Sequence, residues 1–334
     1  MIRRFAQAGF VLLMSAVGGA FSPAHALQTV SIVIPRDSVF VLNFMGAKDA
    51  GVFAKRGIDL EVDARPFAGF LASLPSKQTM VTTYPGMEAI EKINQGVDWV
   101  VIGPALTAVQ EIFVLKNSPF KSIPDLRGKP FGTFSTGAGS FKATRAEIMD
   151  AYGLDITKDM QLKQLSPPAL LKLFEDGTVD AMFNISSLNI AADAQPDKFR
   201  SVFSPNGYWE KKSGFKVLWA APIIAWRSWV DQDPKRAKAF AEATEDSIRW
   251  LRNPVNFDAA VKSYGALAGV TKPQDVVAYK KWLEAKRMYM TAWNRKAVDA
   301  AWKFLEMAKR VGVLSKVPSE KKTALLVENG ETGR

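Results

Sequence analysis

Short apolar runs alternate with segments of helical periodicity along the first two thirds of the chain. Runs typical of buried strands lie at residues 29–34, 58–62, 80–84, 99–102, 130–134, 160–165, 179–183 and 199–203. Between them, apolar residues recur every three or four positions, as in 40–56, 67–74 and the segment after Ser140, which predicts helices. Strands that alternate with helices predict an α/β fold with mostly parallel sheets flanked by helices.

Glycine and proline residues predict some boundaries between elements. After Asn184 the regular alternation of strands and helices changes. We expect the fourth strand to break at Gly103-Pro104, and the residues at 204–207 predict a turn. The aromatic-rich run 215–229 is interpreted as a strand that returns the chain to its first part. Helical segments follow at 234–251, 255–267, 273–288 and 296–311, and the polar tail after Pro318 is expected to be loosely held.

The chain begins with the pattern of an export signal. Arg3 and Arg4 precede a short apolar run at 10–17, and Ala24-His25-Ala26 matches a cleavage site. The run is too short to span a bilayer. We therefore predict a signal peptide at residues 1–26, cleaved after Ala26, and a periplasmic mature protein.

The charge balance is basic, with 44 Lys and Arg against 33 Asp and Glu and a net charge of +11. The basic residues are scattered through helical segments, and no zinc-finger or RNA-binding motif accompanies them. We expect no nucleic-acid partner. A solvated basic surface is the simpler interpretation, and attraction of anionic ligands or lipids is the alternative.

The composition excludes several kinds of chemistry. The chain has no cysteine, and its one histidine is His25 in the predicted leader. Thiol nucleophiles, histidine triads, disulfides and the usual zinc sites are therefore excluded from the mature protein. No motif places a pair of carboxylates for hydrolysis, so we expect no catalytic residue, metal or cofactor.

One loop has the chemistry of a ligand site. Ser135-Thr136-Gly137-Ala138-Gly139-Ser140 follows an apolar run and opens a helical segment. Free backbone N–H groups at a helix N-terminus attract anions and polar groups. A simple serine N-cap is the alternative.

Three phrases identify a resemblance to a known family. They are GAKDAGVFAKRGIDLEV at 46–62, IPDLRGKPF at 123–131 and LFEDGTVDAM at 173–182. Together they resemble periplasmic substrate-binding proteins of ABC importers, of the type that serves nitrate, taurine, alkanesulfonates and thiamine-pyrimidine precursors. The resemblance spans about residues 29–311.

This resemblance implies a type II periplasmic binding protein fold with the ligand in a cleft between two lobes. Lobe one would comprise 27–122 plus 218–317 and lobe two 123–217, followed by a C-terminal tail at 318–334. The lobes would close over a small molecule, and a membrane permease would recognise the closed form. The resemblance implies a monomer without enzyme activity, and a periplasmic sensor or carrier of the same fold is the alternative. Family members that make a thiamine pyrimidine use histidine and cysteine, which the mature chain lacks.

The resemblance also indicates which strand ends would line the cleft. The candidate ligand-binding residues are Asp37, Ser38, Phe40, Thr82, Thr83, Tyr84, Ser135, Thr136, Gly139, Ser140, Asn184, Ser187 and Trp226. Capping by Asp37 and core packing by Trp226 are the alternatives. Arg36 and Lys142 are the only basic residues beside these motifs, and an arginine clamp for a bare anion is not evident. We therefore expect an organic ligand with an apolar or aromatic body and one polar head.

Overall fold

The computed structural model describes residues 26–285 and 288–327. The predicted signal peptide lies outside the described residues apart from Ala26. The strands are β1 (Gln28–Pro35), β2 (Ile58–Arg65), β3 (Val81–Thr83), β4 (Trp99–Thr107), β5 (Ile112–Leu115), β6 (Pro130–Thr133), β7 (Gln161–Gln164), β8 (Ala181–Phe183), β9 (Phe199–Phe203) and β10 (Trp219–Trp226). The helices are α1 (Phe40–Asp49), α2 (Phe67–Ser73), α3 (Gly86–Asn94), α4 (Gly139–Tyr152), α5 (Ile156–Asp159), α6 (Pro167–Glu175), α7 (Ser186–Asp193), α8 (Pro205–Ser213), α9 (Arg227–Gln232), α10 (Pro234–Leu251), α11 (Pro254–Ala268), α12 (Pro273–Glu284), α13 (Arg295–Arg310) and α14 (Glu320–Thr323).

The first group of strands combines the beginning of the chain with β10. Strands β1 and β2 pair in parallel along their whole length. Strand β10 lies between β3 and β4 and runs antiparallel to both. The Thr82 hydroxyl donates a hydrogen bond to the Val33 carbonyl oxygen at 2.6 Å, which places β3 beside β1. The returning strand predicted at 215–229 is therefore present, although it covers only Trp219–Trp226 and a helix begins at Arg227.

The remaining strands form one five-stranded sheet in the order β7-β6-β8-β5-β9. Strand β6 is parallel to β7 and β8, whereas β5 is antiparallel to β8 and β9. The α/β class is confirmed, but the sheets are not mostly parallel: β1 and β2 form a parallel pair, β3-β10-β4 is antiparallel and the five-stranded sheet is mixed. The apolar pattern of a strand does not encode its direction, and the sequence analysis did not identify β5.

Strand β4 continues through Gly103 and Pro104, so the predicted break at these residues is wrong. Gly103 packs tightly on β10, since a Cβ at this position would lie 2.9 Å from Ile223 Cδ1. The pairing register shifts between Ala221 and Ile223, which pair with Leu106 and Gly103. The resulting bulge contains Pro104, which has no N–H to contribute to a regular ladder.

The predicted turn at 204–207 is the beginning of helix α8. Ser204 is the N-cap, and its hydroxyl accepts a hydrogen bond from the Gly207 N–H at 3.3 Å. Pro205 occupies the first turn, where its missing N–H has no cost. Ser, Pro, Asn and Gly favour turns and helix starts alike, which explains the incorrect prediction.

The beginning of the C-terminal tail is anchored, contrary to the expectation of a loose tail. Trp302 Nε1 donates to the Pro318 carbonyl oxygen at 3.0 Å, and the Leu325 N–H donates to Val101 O at 2.9 Å. Thr323 is buried. In the part of the chain that the structure describes, no helix has the length and apolar character needed to cross a membrane.

Candidate functional site

Most of the predicted site residues lie at or just after the carboxyl ends of β1, β3, β6 and β8. Trp226 is the exception, because β10 is antiparallel to β4 and Trp226 pairs with Trp99 at the beginning of β4, at the opposite edge of the sheet. Strands β1 and β3 are neighbours, and their ends lead to Asp37 and Tyr84. In the five-stranded sheet β6 and β8 are parallel, and Thr133 pairs with Phe183 at their ends. Ligands of α/β proteins bind at such edges because the loops and helix N-termini of neighbouring strands converge there.

The two sets of strand ends meet where α3 and α4 begin. A Cβ at Gly139 would lie 3.0 Å from Pro85 Cβ and 3.6 Å from the backbone nitrogens of Met87 and Glu88. Only a residue without a side chain allows the two helix N-termini to approach so closely. Beside this contact, Gln110 Nε2 donates to Ser140 Oγ at 3.1 Å. The structure therefore brings together Tyr84, Gly139 and Ser140.

A second contact joins Asp37 to the beginning of α7. Gly269 ends α11 with a φ of +75°, and a Cβ there would lie 3.7 Å from Asp37 Cα and from Ser187 Cβ. Asp37 has a φ of +55°, a left-handed conformation that aspartate tolerates better than most residues. Its N–H donates to Leu267 O at 2.9 Å. The structure thus places Asp37 and Ser187, which are distant in sequence, around one glycine.

Several predicted residues use their side-chain donors on the protein backbone. They are Ser38 (to Pro35 O, 2.7 Å), Thr82 (to Val33 O, 2.6 Å), Tyr84 (to Leu71 O, 3.2 Å), Asn184 (to Pro167 O, 3.0 Å) and Trp226 (to Leu74 O, 3.0 Å). Trp226 also packs edge-on against Trp99. Phe40 is buried and packs near Phe44. These contacts hold the strand ends in place and favour a supporting role for this group.

Two buried hydroxyls at the strand ends have unused hydrogen-bonding capacity. Thr83 and Thr133 are 1% and 0% exposed, and neither Oγ1 has a hydrogen-bond partner among the described residues. Buried polar atoms normally have partners, so these two hydroxyls are candidates for contact with a bound polar group. Thr83 was predicted as a site residue, whereas Thr133 was not. Its position, directly before the 134–140 loop, is the sequence signal that could have identified it.

The remaining predicted polar residues lie on the loop between β6 and α4. Ser135 is half-buried and Thr136 is exposed. The Thr136 N–H and hydroxyl both approach Gln164 Oε1, at 3.0 and 3.1 Å, which ties this loop to the end of β7.

The sequence analysis missed an acidic group at the α3–α4 contact. Glu88 lies in the first turn of α3, and its Oε2 is buried without a partner among the described residues. Burial raises the pKa of Glu88 to about 7, while the charge of Lys142 and the N–H of Gly139 act in the opposite direction. Burial and the charge of Glu88 together raise the pKa of Tyr84 to about 12. The sequence signal that could have identified Glu88 is its position shortly after the end of β3.

Two open surface pockets lie away from these strand ends. One, of about 490 Å³, is lined by residues such as Lys116, Glu175 and Phe199. A second, of about 610 Å³, lies between α8 and α13 and includes Trp302. Neither contains a predicted site residue. The candidate site is the convergence of strand ends, where the unpartnered hydroxyls of Thr83 and Thr133 lie. Within the two described ranges, no group of three or more acidic residues is arranged to hold a metal ion.

Comparisons with known proteins agree with this arrangement of elements. The sequence model of one protein family, described as NMT1/THI5 like, matches residues 41–256. None of the curated proteins matches the sequence. Among solved structures, the chain is similar to the periplasmic aliphatic sulphonate binding protein SsuA from Escherichia coli, with a TM-score of 0.70 and 17% identity over 92% of this chain and 95% of that one.

Two further structures are similar at low sequence identity. The periplasmic nitrate-binding protein NrtA from Synechocystis PCC 6803 has a TM-score of 0.65 and 14% identity, over 90% of this chain and 86% of that one. The desulfurization enzyme DSZB has a TM-score of 0.57 and 15% identity, over 89% and 96%. These similarities establish the fold, which the binding proteins and the enzyme share.

Proposed function

Because the chain belongs to the NMT1/THI5-like family, whose model covers more than half of its 334 residues, we propose that it is the solute-binding component of an ABC importer. It works in the periplasm as a monomer after removal of residues 1–26. It captures a small organic molecule and delivers it to a permease in the inner membrane.

The observation that carries this proposal is the meeting of the ends of β1 and β3 with the ends of β6 and β8 of the five-stranded sheet. Thr83 ends β3 and Thr133 ends β6, and both hydroxyls are buried without partners among the described residues. We propose that residues 27–122 and 218–317 form one lobe, that 123–217 form the other, and that 318–334 form a tail. In this arrangement the cleft lies between α3 and α4 on one side and between Asp37 and α7 on the other.

The proposed ligand contacts divide into two groups. Polar contacts come from strand ends and helix N-termini, namely Asp37, Thr83, Ser135, Thr136, Gly139, Ser140 and Ser187. The walls come from residues that are already held by the protein, namely Ser38, Phe40, Thr82, Tyr84 and Asn184, whereas Trp226 lies at the opposite edge of its sheet and is not part of the proposed wall. Such a cleft, with few polar groups among apolar walls, suits a small organic ligand with one polar head.

The ligand class is proposed from the site rather than from any single relative. SsuA and NrtA are named for sulphonates and nitrate, and both share this fold. In this chain Lys142 Nζ is already paired with Glu91 Oε2 at 2.6 Å, and Arg36 is exposed. A bare inorganic anion would therefore find few free cations, and an organic molecule, such as a sulfonate or an aromatic acid, is the better candidate.

Two other roles are compatible with the same fold. A periplasmic sensor or carrier needs only a closing cleft, so it is distinguished from import by dependence on a permease. An enzyme is the least favoured alternative although DSZB has this fold, because residues 27–334 contain neither histidine nor cysteine.

A thermal-shift screen of the mature protein tests the proposal. The compounds are alkanesulfonates, nitrate, aromatic acids, pyrimidines and amino acids. A ligand at about one hundred times its Kd stabilises the folded state by about 2.7 kcal/mol, which raises the melting temperature measurably. A shift confined to one chemical class supports solute binding and identifies the class. If no class of compound raises the melting temperature of the protein, the proposal is contradicted.

A further inference from the structure

Glu88 occupies the junction at which the two halves of the proposed cleft touch. The first turns of α3 and α4 abut, and the backbone nitrogen of Glu88 lies 3.6 Å from the Cβ position of Gly139. The Gly139 N–H interacts with the Glu88 carboxyl group. Both helices present their N-termini here, and both contribute positive partial charge. A carboxylate of the protein itself is thus located where a ligand anion would be attracted.

The groups that face Glu88 only partly compensate its charge. The charge of Lys142 on α4 lowers the pKa of Glu88, but the Lys142 ammonium group is already bound to Glu91 Oε2 at 2.6 Å. Glu91, one turn further along α3, repels the ionised Glu88 carboxylate. Tyr84 lies just after the end of β3, and the charge of Glu88 contributes to raising the pKa of Tyr84. One carboxyl oxygen of Glu88 has no hydrogen-bond partner among the described residues. Glu88 therefore has an unused acceptor at the proposed site.

We propose that Glu88 is a specificity-determining residue of this site: its protonated carboxyl group admits an anionic head such as a sulfonate or a carboxylate, whereas its ionised carboxylate disfavours that head and favours ligands that offer a hydrogen-bond donor or a positive charge. This inference rests on the proposed function, since it assigns a role within the same cleft. An ionised Glu88 and a ligand anion would compete for the N-terminus of α4. An anion therefore binds there only when Glu88 takes up a proton, whereas a donor group binds to the ionised carboxylate.

The proposal has a defined pH signature. Burial raises the pKa of Glu88 to about 7, so the group changes charge within an accessible range. Above this pKa, each pH unit weakens binding of an anion by about tenfold, because binding requires one proton. Below this pKa the affinity for an anion becomes independent of pH. Without the Glu88 carboxyl group this dependence disappears.

The test compares the mature wild-type protein with Glu88→Gln and a control, Glu210→Gln. The control removes an exposed acidic group on α8 and leaves Glu88 and its neighbours in place. The probes are butanesulfonate, benzoate, benzylamine and benzyl alcohol, used in calorimetric titrations and thermal-shift assays at pH 6 and pH 8. Glu88→Ala is a second variant, in case the glutamine amide occupies the same position.

We expect Glu88→Gln to bind at least one anionic probe about tenfold more tightly than wild type at pH 8, with a smaller difference at pH 6. Glu210→Gln should retain the wild-type pH dependence. Equal anion affinity for wild type and both Glu88 variants at pH 8, or no response of these variants to any anion, overturns the inference. In that case stabilisation of the wild type by benzylamine or benzyl alcohol still supports the proposed function. If no probe stabilises any protein at either pH, both proposals fail.

Discussion

Arg310 Nη2 on α13 lies 2.7 Å from Asp150 Oδ1 on α4, although 160 residues separate them in the sequence. The Asp150 side chain is 8% exposed, whereas that of Arg310 is 61% exposed. Tyr208 and Lys212 of α8 also donate to this carboxylate. One buried aspartate therefore joins three helices at a point where the two proposed lobes touch.

Asp150→Asn is expected to destabilise the folded protein by about 1–3 kcal/mol at pH 7, because it removes charge-assisted hydrogen bonds from a buried acceptor. Burial by itself would raise the pKa of Asp150, but hydrogen bonds from Lys212, Tyr208 and Arg310 outweigh it and lower the pKa below 3.8. A lowered pKa stabilises the folded state above pH 3.8, and this contribution is lost as the pH falls through the folded-state pKa. Urea denaturation at pH 7 and at pH 3 measures both effects.

The control for this prediction is Asp299→Asn. Asp299 pairs with Arg295 at 2.7 Å, but both side chains are 51% exposed. An exposed ion pair contributes about 0.5 kcal/mol or less. If Asp150→Asn and Asp299→Asn lower the free energy of unfolding equally, the α4–α8–α13 junction contributes no more to stability than a surface ion pair does.

Glu147→Met is expected to stabilise the protein. Glu147 is completely buried in α4, and neither carboxyl oxygen has a hydrogen-bond partner among the described residues. Burial, and then the charge of Asp150, raise the pKa of Glu147 well above 4.5. The folded state therefore binds the proton more tightly than the unfolded state, and stability falls as the pH rises above 4.5.

Glu147→Met removes an unsatisfied buried polar group, which should raise the free energy of unfolding by about 1–3 kcal/mol at pH 7. The gain should grow between pH 5 and pH 8 in chemical denaturation. The control is Glu210→Gln, an exposed position on α8, which should change stability little. If Glu147→Met destabilises the protein at every pH, the carboxyl group has a partner such as a bound water.

Gly86→Ala is expected to destabilise the protein by about 1–3 kcal/mol. A Cβ at position 86 would lie 2.6 Å from Trp219 Cζ3 and 3.1 Å from Ala220 O, and Trp219 is buried. The matched control is Gly69→Ala in helix α2, where the nearest atoms belong to Arg65 at 3.7 Å. This control should be neutral or stabilising by up to about 1 kcal/mol. Thermal denaturation separates the two, and equal melting temperatures would contradict the tight packing of α3 on β10.

Ser140→Trp tests the location of the cleft. Ser140 is half-buried in the first turn of α4. A tryptophan should fill the proposed cleft and abolish binding of the ligand found by thermal-shift screening, while the melting temperature stays nearly the same. The control is Ser166→Trp, at an exposed position before α6. Unchanged affinity in Ser140→Trp would place the site elsewhere, and unfolding would show that position 140 is part of the core.

Much of the fold could be predicted because the signals are local. Helix α10 runs from Pro234 to Leu251 and strand β9 from Phe199 to Phe203, as their patterns predict. Asp233 caps α10 by accepting from the Arg236 N–H at 2.9 Å, a contact between residues three apart. Strand directions and the bulge at Pro104 were not predictable in this way, because they depend on pairing with distant strands.

Within the candidate site, strand β3 shows the same difference between what local sequence predicts and what distant contacts decide. Thr82 and Thr83 are adjacent, and the sequence marks both as candidate ligand contacts. Successive side chains of a strand point to opposite faces, and Thr82 finds an acceptor in Val33 whereas Thr83 Oγ1 finds none among the described residues. Which hydroxyl is available for a ligand was decided by the neighbouring strand.

The sequence by itself determined the α/β class, the family resemblance, and the absence of cysteine and of any histidine beyond His25, because these follow from composition and local pattern. Only the tertiary structure placed Gly139 against Pro85 and Glu88 beside the beginning of α4. Burial and the approach of two helix N-termini set the charge and the hydrogen-bonding capacity of Glu88, and both come from elements that are distant in the sequence.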